Sequence, residues 1–178
     1  MSDTLLGALW TLDFMLLLAR NGCAGVNIET GVNQLGFNSF YSPITDDGKG
    51  LTFAGVPYYG MLAFATAAKG NNQMIPINID APDESFTAYA LGTNAKIRSF
   101  IAINRSRFQE AHLDTRGLGM KESSLLCLRA PSFDSKGAIT LGDESVDAKG
   151  DWKPRSRDRV MQSTLSVPAM SAALLISE

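Results

Sequence analysis

The chain has 178 residues, enough for one ordinary domain or for a small domain with an appendage. Its 45% apolar and 19% charged residues allow a hydrophobic core. A net charge of −2 at pH 7 argues against nucleic-acid binding, because that function needs a concentrated basic surface. The two cysteines, Cys23 and Cys127, are too few for a disulfide framework or a zinc site, so we expect both to be buried small hydrophobic residues.

The first predicted element is a helix over residues 4–20. Apolar side chains fall on nearly every face, which is typical of a helix buried on all sides or inserted in a membrane. The run covers about 16 residues, fewer than the ~20 needed to span a bilayer, and Asp13 lies in its middle. Ser2 and Asp3 offer capping oxygens at one end, and Gly22 supplies a left-handed stop at the other. We therefore predict a buried globular helix and no membrane span.

The residues after this helix predict a short buried strand. Val26 and Ile28 are β-branched and lie between glycines, a pattern typical of a strand covered on both faces in a parallel sheet. The connection over residues 30–55 is far longer than the ~2 to 6 residues usual between a strand and a helix, and such loops are usually functional or partly structured. An Asp-Gly pair between segments 37–44 and 51–54 predicts a β-hairpin there.

A second helix is predicted to begin at Pro57 and to end at Gly70. Apolar residues recur along it at spacings of three and four, so it is amphipathic, unlike the first helix. The order of helix, strand, long loop and helix is a slice of an alternating β/α architecture. The opening Met-Ser-Asp lacks the basic start of a signal peptide, and the sequence leaves the cellular compartment open.

Beyond Gly70 the apolar pattern changes from helical to alternating. About seven short strands, separated by turn-rich pieces, predict an antiparallel β-sandwich. We therefore predict a mainly β chain of two units, in which a helix–strand–helix segment over residues 1–70 precedes a sandwich over residues 71–178. The predicted strands cover residues 73–79, 85–91, 97–104, 108–114, 124–130, 160–167 and 172–177.

Several short motifs follow one another in a recognisable order. They are Ser-Asp-Thr at 2–4, Ala-Leu-Trp-Thr-Leu-Asp-Phe-Met at 8–15, Asn-Gly-Cys-Ala-Gly-Val-Asn at 21–27, Tyr-Ser-Pro-Ile at 41–44, Val-Pro-Tyr-Tyr-Gly-Met-Leu at 56–62, Leu-Arg-Ala-Pro-Ser at 128–132, Ile-Thr-Leu-Gly at 139–142 and Ser-Val-Pro-Ala-Met-Ser-Ala-Ala-Leu at 166–174. Together they resemble glycoside hydrolase family 79, the β-glucuronidase group. The resemblance implies that residues 1–70 are the remnant of the last units of a (β/α)8 barrel and that a C-terminal β-sandwich follows.

The resemblance also implies a function. The intact enzyme would hydrolyse β-linked glucuronides or related glycosides with retention and without a cofactor. Both catalytic glutamates of the family belong to earlier barrel strands, so we expect no catalytic residue in this chain, which would be a non-catalytic C-terminal portion inactive by itself. The alternative is a stand-alone β-sandwich module that binds carbohydrate or another protein.

Candidate substrate-binding residues follow the predicted short strand. In the family the segment that corresponds to residues 30–33 helps to bind the sugar, which makes Gly31 and Asn33 candidates here, and Asn27 could also hydrogen-bond to sugar hydroxyls. Glu29 is a candidate because it follows the predicted strand and would lie on the catalytic face of a barrel. Relatives usually read Asn-Phe-His where this chain reads Asn-Ile-Glu, which puts an unaltered sugar pocket in doubt. A structural hydrogen bond or salt bridge is the alternative role for Glu29. A plain turn is the alternative for the loop after it.

Other residues have simpler interpretations. His112, the only histidine, lies on a predicted sandwich strand with no nucleophile motif nearby. Tyr41, Tyr58 and Tyr59 could stack on sugar rings, but we expect them to pack the helix and hairpin. The basic residues after Trp152 are expected to form a solvated loop, with the indole folded onto the sandwich. No acidic run has calcium-loop spacing, so we expect no metal.

The first helix also predicts a partner. Burying one large apolar side chain contributes about 1.5 to 3 kcal/mol, so leaving several of them in water would be costly for a marginally stable domain. We expect the helix to pack on the sandwich, to bind a barrel-bearing chain, or to self-associate. A glycoside is the expected small-molecule ligand.

Overall fold

The structure is a computed structural model that describes residues 3–30, 42–46, 52–81, 83–120, 122–155, 158–160 and 163–177. Two helices and eleven strands lie in this part of the chain. The helices are α1 (Leu5–Arg20) and α2 (Val56–Ala68). The strands are β1 (Ile44–Asp46), β2 (Thr52–Ala54), β3 (Gln73–Ile75), β4 (Phe86–Thr93), β5 (Lys96–Asn104), β6 (Ala111–Asp114), β7 (Ser123–Arg129), β8 (Thr140–Leu141), β9 (Asp158–Val160), β10 (Thr164–Val167) and β11 (Ser171–Ser177).

Most of the strands form one antiparallel sheet with the order β3-β4-β5-β11-β7-β8, and β9 also pairs with β7. The helices α1 and α2 cover one face of this sheet. A two-stranded ribbon of β6 and β10 contributes Leu165 and Val167 to the apolar cluster on the other face. The predicted fold class, a mainly β chain with an antiparallel sandwich behind two helices, is confirmed.

The central strands are apolar on both faces because both faces are covered. In β11, Ala172 and Leu174 belong to the cluster under the helices, whereas Ala173 and Leu175 belong to the cluster under the ribbon. Successive side chains on a strand point to opposite faces, so this two-sided burial produces a continuous apolar run in the sequence. It places the main core directly beneath α1.

The helix α1 has a buried inner face and a partly exposed outer face, so the described part of this chain covers only one side of the predicted buried helix. Leu9 and Leu12 are fully buried against the sheet and α2. Trp10 is 59% exposed and Leu17 is 38% exposed on the opposite side. The sandwich and α2 cover one side of the helix, whereas the other side is left partly exposed.

Close contact between the two helices depends on a glycine. A Cβ atom built on Gly60 of α2 would lie 2.4 Å from the carbonyl oxygen of Ala8 in α1, so only glycine allows this approach. At the end of α1, Gly22 has a φ of +83°. The amide of Gly22 donates to Ala19, and that of Cys23 donates to Leu18, which together form a Schellman motif. The predicted left-handed stop is confirmed.

The predicted N-terminal caps are corrected by the structure. Thr4 is the residue at the cap position, and its side chain makes no capping hydrogen bond. Asp3, a predicted cap, instead forms an ion pair with Lys136 at 2.8 Å. Ser2 lies outside the described residues. The first turn of α1 is thus tied to the sandwich by a charged pair.

Residues 23–30 do not form the predicted buried strand. They contain no helix, turn, bend or paired strand, and Val26 and Ile28 are half-buried while their neighbours are exposed. Strand formation needs a neighbouring strand to accept the backbone hydrogen bonds, and no described strand lies beside this segment. Cys23 is exposed and Cys127 is half-buried, and the two form no disulfide with each other, so the predicted burial is wrong for Cys23.

The other sequence predictions agree with the structure in part of their bounds. The strand predicted over residues 73–79 ends at Ile75, and the strand predicted over residues 160–167 corresponds to β10, which begins only at Thr164. The predicted hairpin is confirmed by the pairing of β1 with β2, although residues 37–41 lie outside the described part. The second helix begins at Val56, and Gly70 follows its end with a φ of +74°. The strand predicted from residue 108 begins only at Ala111. The strands β8 and β9 were not predicted as separate elements.

The predicted boundary at residue 70 stays a prediction. The helices and the sheet share one hydrophobic cluster, in which Leu12 of α1, Ala63 of α2 and Leu174 of β11 all take part.

Neither helix in the described residues is long and apolar enough to cross a membrane.

Shortening the inner face of α1 should cost more stability than shortening the outer face. Leu12 is 0% exposed, so we expect Leu12→Ala to lower the free energy of unfolding by about 2 to 5 kcal/mol. Leu17→Ala, on the same helix, should cost less than about 1 kcal/mol. Urea unfolding of both variants tests this, and equal losses would contradict the one-sided burial of α1.

Candidate functional site

A groove of about 650 Å³ lies between α1 and the segment after it, and we call it the α1 groove. It lies beside the outer face of α1 and is lined mainly by apolar side chains. The described residues that line it are Leu6, Gly7, Trp10, Thr11, Phe14, Asn27, Ile28, Glu29, Pro57 and Arg105. The groove is thus lined by residues from both helices, from the segment after α1 and from the loop after β5.

An aromatic pair forms one wall of the α1 groove. The rings of Trp10 and Phe14 are stacked, with centroids 4.9 Å apart and planes inclined by 11°. They meet because residues four apart lie one above the other on a helix. Ring faces of this kind stack well on sugars and on other apolar surfaces. Trp10 is exposed enough to do so.

A polar network beside the groove holds α1 on the sheet. The Asp13 carboxylate accepts hydrogen bonds from the Thr87 hydroxyl at 2.7 Å and from the Tyr89 hydroxyl at 2.8 Å. Its second oxygen pairs with Arg105 at 2.9 Å. Arg105 also donates to the backbone oxygen of Glu84 at 2.6 Å. A charge inside an apolar helix is therefore satisfied by three donors from the sandwich.

Tyr89 is the buried member of this network. Its burial, with the adjacent Asp13 carboxylate, raises the pKa of the Tyr89 phenol well above its ordinary value. The Arg20 guanidinium lies 5.2 Å from the centre of the Tyr89 ring, in a cation–π contact from the last turn of α1. Asp13, in the middle of α1, and Arg20, in its last turn, thus both connect this helix to β4.

The structure brings two of the four predicted site residues together. Asn27 and Glu29 both line the α1 groove, and both are exposed. Gly31 and Asn33 lie outside the described residues. The sequence prediction missed Arg105, because its position follows from an ion pair with a residue 92 positions away. A charged residue in the middle of an apolar helix needs a partner, so Asp13 was the local signal in the sequence for a residue such as Arg105.

The groove alone does not carry the machinery for glycoside hydrolysis. A retaining glycosidase needs two carboxyl groups about 5 to 5.5 Å apart. Among the described lining residues, Glu29 has the one carboxylate. The nearby Asp13 carboxylate is already occupied by its three donors. No cluster of three or more metal-ligating side chains lies in the part of the chain that the structure describes.

The histidine and the tyrosines that the sequence offered as candidates mostly make contacts within the fold. His112 lies on β6, where its Nδ1 is 3.1 Å from the Ser166 hydroxyl, which itself donates to the carboxylate of Glu110. This cluster is exposed, and the hydroxyl contacts the carboxylate directly, unlike a relay in which histidine separates the two. Tyr59 is buried and accepts a hydrogen bond from the Val146 amide. Tyr41 lies outside the described residues.

The predicted basic loop is confirmed for Lys153 and Arg155, which are exposed and lie outside any helix or strand, whereas Arg159 lies in β9 and is not part of a loop. The Trp152 indole donates to the backbone oxygen of Leu141 at 2.9 Å and packs against the main core. Arg155 pairs with Glu144 at 2.5 Å. The predicted fold of the indole onto the sandwich is therefore confirmed.

Known proteins resemble this chain in structure rather than in sequence. No protein-family model matches the chain, and no curated protein matches it in sequence. Solved structures do match it. A 4-O-α-L-rhamnosyl-β-D-glucuronidase from Fusarium oxysporum matches with a TM-score of 0.75 and 20% identity, over 98% of this chain and 39% of that chain.

The chain has the fold of part of a glycoside hydrolase. An α-L-arabinofuranosidase from Thermotoga maritima also matches, with a TM-score of 0.64 and 12% identity over 97% of this chain and 38% of its own. A family 51 α-L-arabinofuranosidase from Bifidobacterium longum matches with a TM-score of 0.64 and 16% identity, over 98% and 35%. At these identities the likeness concerns the fold alone. The chain spans about two fifths of the length of these enzymes.

The raised pKa of Tyr89 predicts a specific pH dependence. Below about pH 10 the phenol is neutral in both folded and unfolded chains, so its contribution to stability is complete there. As pH rises further, the unfolded phenol ionises first, so the stability contributed by Tyr89 is progressively lost. Urea unfolding at pH 8 and pH 11 should show a larger loss for the wild type than for Tyr89→Phe.

A tyrosine from the same chain provides the control for this measurement. Tyr58 is half-buried in α2 and lies outside the network around Asp13. Tyr58→Phe removes a phenol hydroxyl without changing that network, so it shows how much of the difference comes from removing any tyrosine hydroxyl. If Tyr89→Phe behaves like Tyr58→Phe, the assigned burial of the Tyr89 hydroxyl against Asp13 is wrong.

Proposed function

We propose that this chain is the non-catalytic C-terminal portion of a β-glucuronidase-like glycoside hydrolase of family 79. In this role the sandwich supports α1, α2 and the segment between them, which complete a barrel whose other units this chain does not carry. The observation that supports the proposal best is the structural match to a rhamnosyl-glucuronidase over 98% of this chain. The sequence motifs that resemble family 79 point to the same enzyme class.

The proposal gives the two described site residues a role at the sugar. Asn27 and Glu29 are two positions apart in the segment that lines the α1 groove, and both are exposed and therefore able to contact a ligand. An amide and a carboxylate both accept hydrogen bonds from sugar hydroxyls, and the amide also donates. Glu29 acts as a binding residue rather than as a catalyst, since the second carboxylate comes from elsewhere in the enzyme.

One observation favours a second candidate function, that of a stand-alone carbohydrate-binding module. The stacked pair of Trp10 and Phe14 is an exposed aromatic surface beside polar side chains. Such surfaces bind sugar rings by stacking. This alternative predicts that the isolated chain binds an oligosaccharide, and that Trp10→Ala abolishes the binding.

A chimera tests the main proposal. In the Fusarium oxysporum rhamnosyl-glucuronidase, the part of the chain that matches would be replaced by this chain. We expect a folded chimera that hydrolyses a 4-O-rhamnosyl-β-glucuronide, whereas this chain alone shows no turnover. In the chimera, Glu29→Gln should raise KM about tenfold or more, because a hydrogen bond to a charged group is lost.

A second glutamate serves as the matched control. Glu122 is exposed and does not line the α1 groove, so Glu122→Gln should leave KM unchanged in the same chimera. A folded chimera without activity would contradict the proposed role. Sustained turnover by this chain alone would contradict its non-catalytic nature.

A further inference from the structure

A cleft of about 990 Å³ lies on the face of the sheet opposite α1 and α2, and we call it the β5 cleft. Its aliphatic lining residues, Ile75, Ile97, Leu118 and Met120, also pack against the apolar cluster under the ribbon. The helices cover the other face of the sheet, so the β5 cleft is separate from the α1 groove. Its volume and its aliphatic floor are typical of a site for a small molecule, in which a few polar groups orient the ligand.

A β-bulge in the pair of β4 and β5 forms part of one wall of this cleft. Leu91 pairs with Ser99, whereas Gly92 pairs with Ile97, which leaves Arg98 as an extra residue in β5. Consecutive residues of a regular strand face opposite sides of the sheet. Ile97 and Arg98 nevertheless both line the β5 cleft. The bulge thus adds a guanidinium group to a wall that is otherwise aliphatic, and bulges often re-aim side chains next to functional sites.

The strand β5 enters the bulge from a turn of fixed geometry. Thr93 pairs with Lys96, so the turn contains only Asn94 and Ala95, whose φ angles are +53° and +58°. Positive φ at both central residues defines a type I′ turn. A Cβ atom built on Gly92 would lie 1.8 Å from the carbonyl oxygen of Lys96, so the close approach of the two strands requires glycine. These constraints hold Lys96 at the mouth of the cleft, two positions before the bulged arginine.

The two basic side chains of the β5 cleft lack an anionic partner within the described residues. Lys96 and Arg98 are both exposed, and neither takes part in an ion pair in the described part of the chain. Glu122 is the one carboxylate among the described lining residues, and it is not paired with either of them. Two cations against one carboxylate leave the lining with a net positive charge and with free donors.

A carboxylate on a hydroxylated ring fits this set of groups. The planar guanidinium of Arg98 can bind a carboxylate through two parallel hydrogen bonds, and the Lys96 ammonium adds a second positive charge. Asn94 and Ser177 also line the cleft and offer hydrogen-bonding groups for ring hydroxyls. No aromatic side chain is among the described lining residues, so charge and hydrogen bonding select the ligand rather than ring stacking.

We propose that the β5 cleft binds a uronic acid residue of a glycan, with Arg98 and Lys96 on its carboxylate, at a second carbohydrate site outside the active site. The choice of a uronate rests on the proposed function, because a β-glucuronidase-like enzyme acts on glycosides of this sugar. The bulge and the turn form the site independently of the residues that line the α1 groove. A glycan with several uronic acid residues would be held at two places, which raises the effective concentration of its cleavable end at the active site.

An NMR titration of the isotope-labelled full 178-residue chain tests this inference. The probes are methyl β-D-glucuronide, its neutral counterpart methyl β-D-glucoside, and inorganic phosphate. We expect the amide signals of residues 93–98 to shift saturably with the glucuronide, and the glucoside to bind at least about tenfold more weakly, because it lacks the carboxylate. Raising the salt concentration from about 50 to about 500 mM should weaken glucuronide binding, since exposed charges are screened.

Four variants assign the binding to the proposed groups. Arg98→Gln should weaken glucuronide binding about fivefold or more, and Lys96→Gln about twofold or more, because each removes one exposed charge. Arg98→Lys keeps the charge but loses the planar fork, so its affinity should lie between those of Arg98→Gln and the wild type. Lys149→Gln is the matched control and should bind like the wild type, because Lys149 is exposed and does not line the cleft. Equal thermal midpoints would show that all four variants stay folded.

Every other result overturns a defined part of the inference. Equal affinity for the glucuronide and the glucoside excludes the carboxylate as the recognised group. Phosphate that binds at the same amides as tightly as the glucuronide makes the cleft a general anion site and excludes the uronate assignment. Shifts confined to residues 27–29 place the ligand in the α1 groove and exclude the β5 cleft, as does a folded chain that binds none of the probes.

The titration and the chimera fail separately. An active chimera, together with no binding at the β5 cleft, overturns this inference and leaves the proposed function standing. Glucuronide binding at the cleft that Arg98→Gln weakens, together with a folded but inactive chimera, supports the site and counts against the proposed function.

Discussion

The fold depends on a central sheet that is apolar on both faces and must be covered on both. Within the described residues, the ribbon of β6 and β10 covers one face, and the two helices cover the other. The leucines on the inner face of α1 therefore pack on the sheet. Because α1 carries apolar side chains nearly all round, this packing leaves Trp10 and its neighbours facing outward. The α1 groove lies beside these outward-facing apolar side chains.

The Asp13 network fixes which side of α1 turns outward. Its carboxylate meets donors from β4 and from the loop after β5, so a rotation of α1 about its axis would bury a charge without partners. Asp13 and its partners lie on the side of α1 that faces the sandwich, whereas Asn27 and Glu29 lie at the open side. The sandwich thus holds α1 in the orientation that leaves the groove open.

Sequence patterns predicted the elements whose stability is local. Both helices and the hairpin follow from apolar spacing, from Pro57 and Gly70, and from an Asp-Gly turn. The strand expected at Val26 and Ile28 did not form, because a strand depends on neighbours that no local pattern supplies. Asn27 and Glu29 were candidates from the sequence, and the fold places both at the groove. The partnership of Asp13 with Arg105 joins distant residues, and only the fold brings them together.

Fluorescence quenching of Trp10 tests the central claim, that α1 is covered on its inner face and open on its outer face. In a Trp152→Phe variant, Trp10 is the one remaining tryptophan and should be readily quenched by acrylamide. In a Trp10→Phe variant, the half-buried Trp152 should be quenched less. Poor quenching of Trp10, with blue-shifted emission in the monomeric chain, would show that its ring is enclosed and would contradict the account.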